Sequence, residues 1–162
     1  MSNLQRHVPR LVLEWAQQQP GDLWRQIDGT LLFADVSGFT ALAERLAQRG
    51  RVGGEELVET LGRVFGEMMD VARGRGGSLL KFGGDALLLF FHGEEHAIQG
   101  AAAAVEMRRT LKAASGRTTS VGPLKLSMSV GLHSGPVDLF LVGGSHRELV
   151  VLGEAADTVV AT

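Results

Sequence analysis

The 162-residue chain contains no cysteine, which removes disulfides, cysteine-ligated zinc and thiol catalysis from consideration. Nor does one sign of charge dominate: 16 Lys and Arg against 18 Asp and Glu leave a formal net charge of −2. Nucleic acid or an anionic membrane as a general partner would require a basic surface. Neither is expected, and any anionic ligand must be held locally. Long apolar runs are missing from the N-terminus, where Arg6, Arg10 and Glu14 interrupt the hydrophobic residues. That segment reads neither as a signal peptide nor as a membrane span, so a cytoplasmic location is the simplest expectation. What is present suffices for a core: 44% of the residues are hydrophobic, and the length supports one soluble globular domain.

Residues 9–18 have the pattern of a short amphipathic helix that starts at a proline and stops at Gln19-Pro20-Gly21. Residues 1–29 are expected to form an N-terminal helical segment, ahead of a domain that occupies 30–162. Thr30-Leu31-Leu32-Phe33-Ala34-Asp35-Val36 is an apolar run ending in an acid, expected as a strand, and Ser37-Gly38 turns it into a helix reaching to about Gly50. A second helix is expected after Gly53-Gly54, with Leu57, Leu61, Val64, Phe65 and Met68 on one face. Residues 78–91 then form a hairpin with Gly83-Gly84 at its turn. Its second arm, 86–91, is apolar throughout, as in a strand covered on both sheet faces.

A third helix, over about 94–114, is expected to pack through Ile98, Ala101, Ala102 and Val105. Strict alternation follows in Leu124, Leu126, Met128, Val130 and Leu132; Gly135-Pro136 is then expected to turn into a strand over 137–142, and 148–152 is a last short strand. The order β-α-α-β-β-α-β is that of an α+β, ferredoxin-like (split βαβ) sheet with one added helix.

In such a sheet Asp35, at the end of the first strand, approaches Asp85 at the hairpin turn. Two carboxylates held together repel each other unless a cation neutralises them. Mg²⁺ fits, because it takes few carboxylates and leaves coordination positions for substrate phosphates. The backbone of Ser37-Gly38-Phe39-Thr40 opens a helix whose first N–H groups can receive phosphate oxygens. Each residue also has a plainer use. Asp35 can cap the helix that follows it, Lys81 can pair with an acid or extend out of the sheet, and His133 can hold the adjacent turn through hydrogen bonds. Capping by Asp35, however, leaves Asp85 without a reason.

Phe33-Ala34-Asp35-Val36-Ser37-Gly38-Phe39-Thr40 and Lys81-Phe82-Gly83-Gly84-Asp85 together resemble the paired signature of class III nucleotidyl cyclases, the adenylate and guanylate cyclase catalytic domain. Val130-Gly131-Leu132-His133-Ser134-Gly135-Pro136 is similar to that family's strand-turn-strand motif, so the resemblance runs from Thr30 over most of the chain. Gly144-Ser145-His146-Arg147-Glu148 and the N-terminal segment are most similar to the first catalytic half of soluble, bicarbonate-responsive adenylate cyclases and their bacterial relatives. The resemblance implies that Asp35 and Asp85 are catalytic carboxylates holding two ions of Mg²⁺ or Mn²⁺, with the backbone carbonyl of Val36 as a further ligand. One ion would activate the ribose 3′-hydroxyl and the other would stabilise the leaving pyrophosphate. Lys81 matches the base-selecting lysine, which favours ATP as substrate and cyclic AMP as product. Ser37, Gly38, Phe39, Thr40, Gly84 and Val150 are the other nucleotide-binding positions it implies.

Departures from the family's pattern are as informative. Val150 stands at a base-contact position, Asp157 where an asparagine would orient the ribose, and Val160-Ala161 where an arginine would stabilise transition-state charge. One half of an asymmetric pair is therefore expected, with a second cyclase catalytic domain, in the same longer chain or in another, supplying the missing groups. The chain also stops before the strands that complete the family's fold, so a C-terminally truncated domain from a longer protein is expected. Two alternatives stand beside this. One is a non-catalytic, nucleotide-binding regulatory half, favoured by Asp157 and the absent arginine. The other is a guanylate or diguanylate cyclase-like enzyme, suggested by Gly83-Gly84-Asp85; Ala86-Leu87, in place of the diguanylate motif's Glu-Phe, weighs against its diguanylate form.

Overall fold

The computed structural model describes residues 11, 15, 21–143 and 148–160. Along the chain run β1 (Trp24–Ser37), α1 (Phe39–Ala47), α2 (Gly50–Gly74), β2 (Ser78–Gly83), β3 (Ala86–His92), α3 (His96–Ala114), β4 (Thr118–Thr119), β5 (Gly122–Pro123), β6 (Ser127–Val142), β7 (Glu148–Leu152) and α4 (Glu154–Val160). Five strands form an antiparallel sheet in the order β2-β3-β1-β6-β7, while β4 and β5 make a separate small hairpin. With β1 between β3 and β6, the first four strands have the ferredoxin-like arrangement.

The sheet separates two cores. Alternation along β1 sends Leu32, Ala34 and Val36 to one face, where α1, α2 and α3 cover them with Leu42, Leu46, Met68, Met107 and Leu111. It sends Leu31 to the other face, where Leu11 and Trp15, both helical, pack with Ala155 and Val159 of α4 and with Val137, Leu139 and Leu141. Strand β3 serves both cores: Leu87, Leu89 and Phe91 belong to the first and Phe90 to the second. This is why its sequence does not alternate. Thr30, buried on β1, links neighbouring elements through its hydroxyl, 2.8 Å from His96 Nδ1 on α3 and 2.7 Å from Ser134 Oγ on β6.

Four features differ from the sequence reading. Strand β1 begins at Trp24 rather than Thr30, because the largely polar stretch from Arg25 to Gly29 pairs in unbroken register with β6; residues 24–29 are strand, not helix. Gly53-Gly54 lies inside α2 rather than ahead of it. Gly53 is where α1 and α2 approach, and a Cβ there would come within 1.9 Å of the Leu46 carbonyl oxygen. Gly135-Pro136 makes no turn: it pairs with Gly29 and Asp28, and β6 runs through it. What changes along β6 is the covered face, since Met128 and Val130 pack on the first core, and Val137, Leu139 and Leu141 belong to the second. Finally, α3 buries Gly100, Ala103, Ala104, Met107 and Leu111, leaving Ile98 67% and Val105 51% exposed. Small residues bring this helix against the sheet, where a Cβ on Gly100 would lie 2.8 Å from Thr30 Cγ2.

Candidate active site

Asp35 stands near the end of the central strand, between Ala86 of β3 and Ser129 of β6. The next residue ties in the hairpin turn: the Val36 N–H donates to the Asp85 carbonyl at 3.0 Å, and the Asp85 N–H donates to the Gly83 carbonyl at 2.9 Å. The two acids thus occupy neighbouring positions, Asp35 half-buried and Asp85 exposed. Gly84 closes the turn at φ 74°, in the left-handed region. Asp35 shares a sheet face with Phe33, and the cross-strand pairs Phe33–Leu88 and Leu88–Lys81 carry that face across to β2. Asp35 and Lys81 therefore project on the same side, opposite the layer of α1, α2 and α3.

Among the described residues no three His, Asp or Glu side chains converge as a metal cluster. What the site can offer is a pair of carboxylates together with backbone carbonyls such as that of Val36. This hard, sparse oxygen set suits Mg²⁺ or Mn²⁺, which complete their shells with water and substrate phosphate, and does not suit zinc or an all-protein calcium cage.

Beside the acids, Gly38 leads into α1 at φ 109°, and no side chain caps the helix. A Cβ at Gly38 would lie 2.2 Å from the Lys125 carbonyl oxygen. Glycine is thus needed here both for its φ and for the close approach of Lys125. Ser37 and Thr40 are exposed, while Phe39 is buried. The segment beneath Gly38 is strapped down in turn through the β4–β5 hairpin. Glu56 accepts from the Ser120 N–H at 2.7 Å and from its hydroxyl. Arg49 donates to the Ser120 carbonyl at 2.9 Å and Arg45 to the Val121 carbonyl at 3.1 Å. Arg117 makes a bidentate pair with Glu67 at 2.8 and 3.0 Å. The Ser120 hydroxyl, then the Ser120 N–H, hold the Glu56 carboxyl below its usual range, and donating to the Glu67 carboxylate raises the pKa of the Arg117 guanidinium. None of these residues belongs to a motif. With Glu56 and Ser120 64 positions apart, no local pattern announces them.

Other expected site positions are placed differently. Val150 pairs with Phe140, which pairs with Trp24, and this puts it on the face opposite Lys81. Its neighbours Leu149 and Val151 pack against the second core instead. The sheet nevertheless curls enough for β7 to touch β2. Asp157 is exposed on α4. His133 sits within β6 opposite Leu31, not beside a turn. Gly144, Ser145, His146, Arg147 and Ala161 lie outside the described residues.

Residues 25–160 match the family model of the adenylate and guanylate cyclase catalytic domain. The chain belongs to that family. This cyclase domain is 30% identical to adenylate cyclase type 10 of Oryctolagus cuniculus over an alignment of 159 residues that covers 94% of the chain and 10% of the relative. It is also 30% identical, over 119 residues, to the membrane guanylyl cyclase of Dictyostelium discoideum, covering 70% of the chain and 7% of that relative. The cyclase domain thus spans about a tenth or less of the length of these curated relatives. Among solved structures, a guanylyl cyclase superposes with a TM-score of 0.70 at 29% identity, covering 85% of this chain and 68% of the other. A bacterial light-regulated adenylyl cyclase shares the fold with a TM-score of 0.79 at 22% identity, over 98% of this chain and 46% of the other. Among the described residues no helix is long and apolar enough to cross a membrane.

Proposed function

We propose that this domain is the metal-binding half of an adenylate cyclase, which converts ATP to cyclic AMP and pyrophosphate when paired with a second cyclase catalytic domain. The observation that carries this reading is the adjacency of Asp35 and Asp85, fixed by the 3.0 Å bond from the Val36 N–H to the Asp85 carbonyl. Asp35 and Asp85, with the Val36 carbonyl, hold two ions of Mg²⁺ or Mn²⁺. Bound there, such ions supply charge neutralisation at the phosphates and make the ribose 3′-hydroxyl more acidic. The uncapped start of α1 at Ser37, Gly38, Phe39 and Thr40 receives phosphate oxygens on its free N–H groups. Gly84 keeps the turn that presents Asp85. Lys81, on the face of Asp35, donates to a ring nitrogen of adenine. ATP over GTP rests on Lys81 and on the similarity to adenylate cyclase type 10, because other relatives are guanylyl cyclases.

Val150 and Asp157 supply neither a polar base contact nor an amide for the ribose, so the complementary groups come from the partner domain. The same two residues favour a second reading, in which this half binds nucleotide and regulates a catalytic partner. A cytoplasmic enzyme agrees with both.

The deciding assay measures cyclic AMP and cyclic GMP made by the purified chain, alone and with a cyclase domain that carries the missing asparagine and arginine. Little product is expected from the chain alone, since loss of one transition-state donor lowers rates by roughly 10²–10³-fold. Mixing should restore Mg²⁺- or Mn²⁺-dependent cyclic AMP production. Robust turnover by the chain alone would refute the half-site reading, cyclic GMP as the main product would reverse the substrate, and nucleotide binding without turnover in the mixture would favour the regulatory half.

A further inference from the structure

Residues 81–83 pair on one side only, with β3, and Gly84 and Asp85 make the turn that follows. They lie at the tip of β2, an edge strand, and all five are exposed. Yet the register of β2 against β3 shifts between Leu79 and Lys81, and this bulge decides where two side chains point. Leu79 pairs with Leu89, which faces the first core; without the shift, alternation would send Lys81 to that core and Phe82 to the face of Asp35. With it, Lys81 pairs with Leu88, and Phe82 pairs with Leu87 and faces α2. There the Phe82 ring, 50% exposed, meets Phe65 of α2 edge-on, with centroids 4.9 Å apart and planes at 81°. Phe65 in turn lies 5.4 Å from Phe39, the first residue of α1. A chain of three rings thus joins the segment carrying Asp35 to the hairpin carrying Asp85.

We infer that Phe82 is a positioning residue for the metal-binding pair: its ring, braced through Phe65 on Phe39, holds the hairpin tip so that Asp85 stays beside Asp35. The inference rests on the reading of Asp35 and Asp85 as metal ligands. Phe82 touches neither metal nor nucleotide in this role. Its contribution is to limit the excursions of a turn whose own backbone ties to β1 are few.

The test uses the 162-residue chain and Mn²⁺ alone, with binding followed by electron paramagnetic resonance of the free ion, in the wild type, Phe82→Ala, Phe82→Tyr and Asp85→Asn. Amide exchange of Val36, whose N–H is bonded to the Asp85 carbonyl, is measured in parallel. Phe82 is half-exposed, so Phe82→Ala leaves the chain folded, which its melting transition verifies. Phe82→Ala should speed Val36 exchange and weaken Mn²⁺ binding by about three- to tenfold, the range that an edge-to-face ring contact is worth. Phe82→Tyr, which keeps the ring, should restore both. Unchanged Val36 exchange, or faster exchange without loss of Mn²⁺ affinity, overturns the positioning role. Asp85→Asn binding Mn²⁺ like the wild type, or a wild type that takes up none, overturns the metal reading, and the inference falls with it.

Discussion

The two signature segments of this cyclase domain are built to different standards of rigidity. The first, 33–40, starts on the central strand, paired with β3 as far as Asp35 and with β6 as far as Ser37, and turns into α1 at Gly38, which is pressed against the Lys125 carbonyl. The second, 81–85, is the exposed tip of an edge hairpin. One carboxylate is thus fixed by the sheet, whereas the other sits in a hairpin turn that is tied to β1 by the Val36–Asp85 backbone bond and braced by the contact between Phe82 and Phe65. The contrast teaches that the site has a fixed wall and an adjustable one, and that Lys81, which would read the base, is mounted on the adjustable wall.

Glycine substitution breaks the contrast most directly. Gly38→Ala combines a left-handed φ with a collision against backbone, and should cost on the order of 2–5 kcal/mol in urea unfolding. Gly84→Ala also strains its φ, but a Cβ there meets nothing within 4 Å, so about 1–2 kcal/mol is expected. Equal losses at the two sites would mean that the walls are equally rigid. A smaller free-energy change is expected from Lys81→Glu in the paired enzyme. Replacing a donor by an acceptor should lower the ATP-to-GTP ratio of kcat/KM by about tenfold, with little change in melting temperature because Lys81 is exposed. An unchanged ratio would take Lys81 out of the base pocket.

The smallest effect is expected at Glu56, which braces the fixed wall from a distance. Its carboxyl is held below its usual range by Ser120. A lowered folded pKa means that its stabilisation is present above the unfolded value and is lost as pH falls through the folded one. Glu56→Gln should therefore lower Tm slightly at neutral pH, and the difference from the wild type should vanish in acid. A difference that persists at low pH would assign the effect to packing instead.

Much of this molecule was legible before its structure. The strand, acid, turn and helix from Thr30 to Ala47 are encoded locally, in an apolar run followed by Ser37-Gly38. The β2–β3 hairpin is encoded in Gly83-Gly84 between apolar arms. Such signals need only neighbouring residues, because dihedral preference and alternation act over a few positions. The paired acids were likewise readable from their motifs. The start of β1 was not, because the stretch after Trp24 is largely polar and becomes a strand only through its pairing with β6.

Composition and spacing by themselves determined one domain with a hydrophobic core, the alternation of helices and strands, and the two segments that carry the candidate chemistry. Only the tertiary structure decided that β6 continues through Gly135-Pro136, that α3 turns Ala103 and Met107 inward rather than Ile98 and Val105, and that a bulge at Leu79/Lys81 puts Lys81 on the face of Asp35 and Phe82 on Phe65. Each of these depends on what covers a given face. A side chain's own preference for burial is the same on either side of a strand or helix, and the choice between sides is made by the partner packed against it.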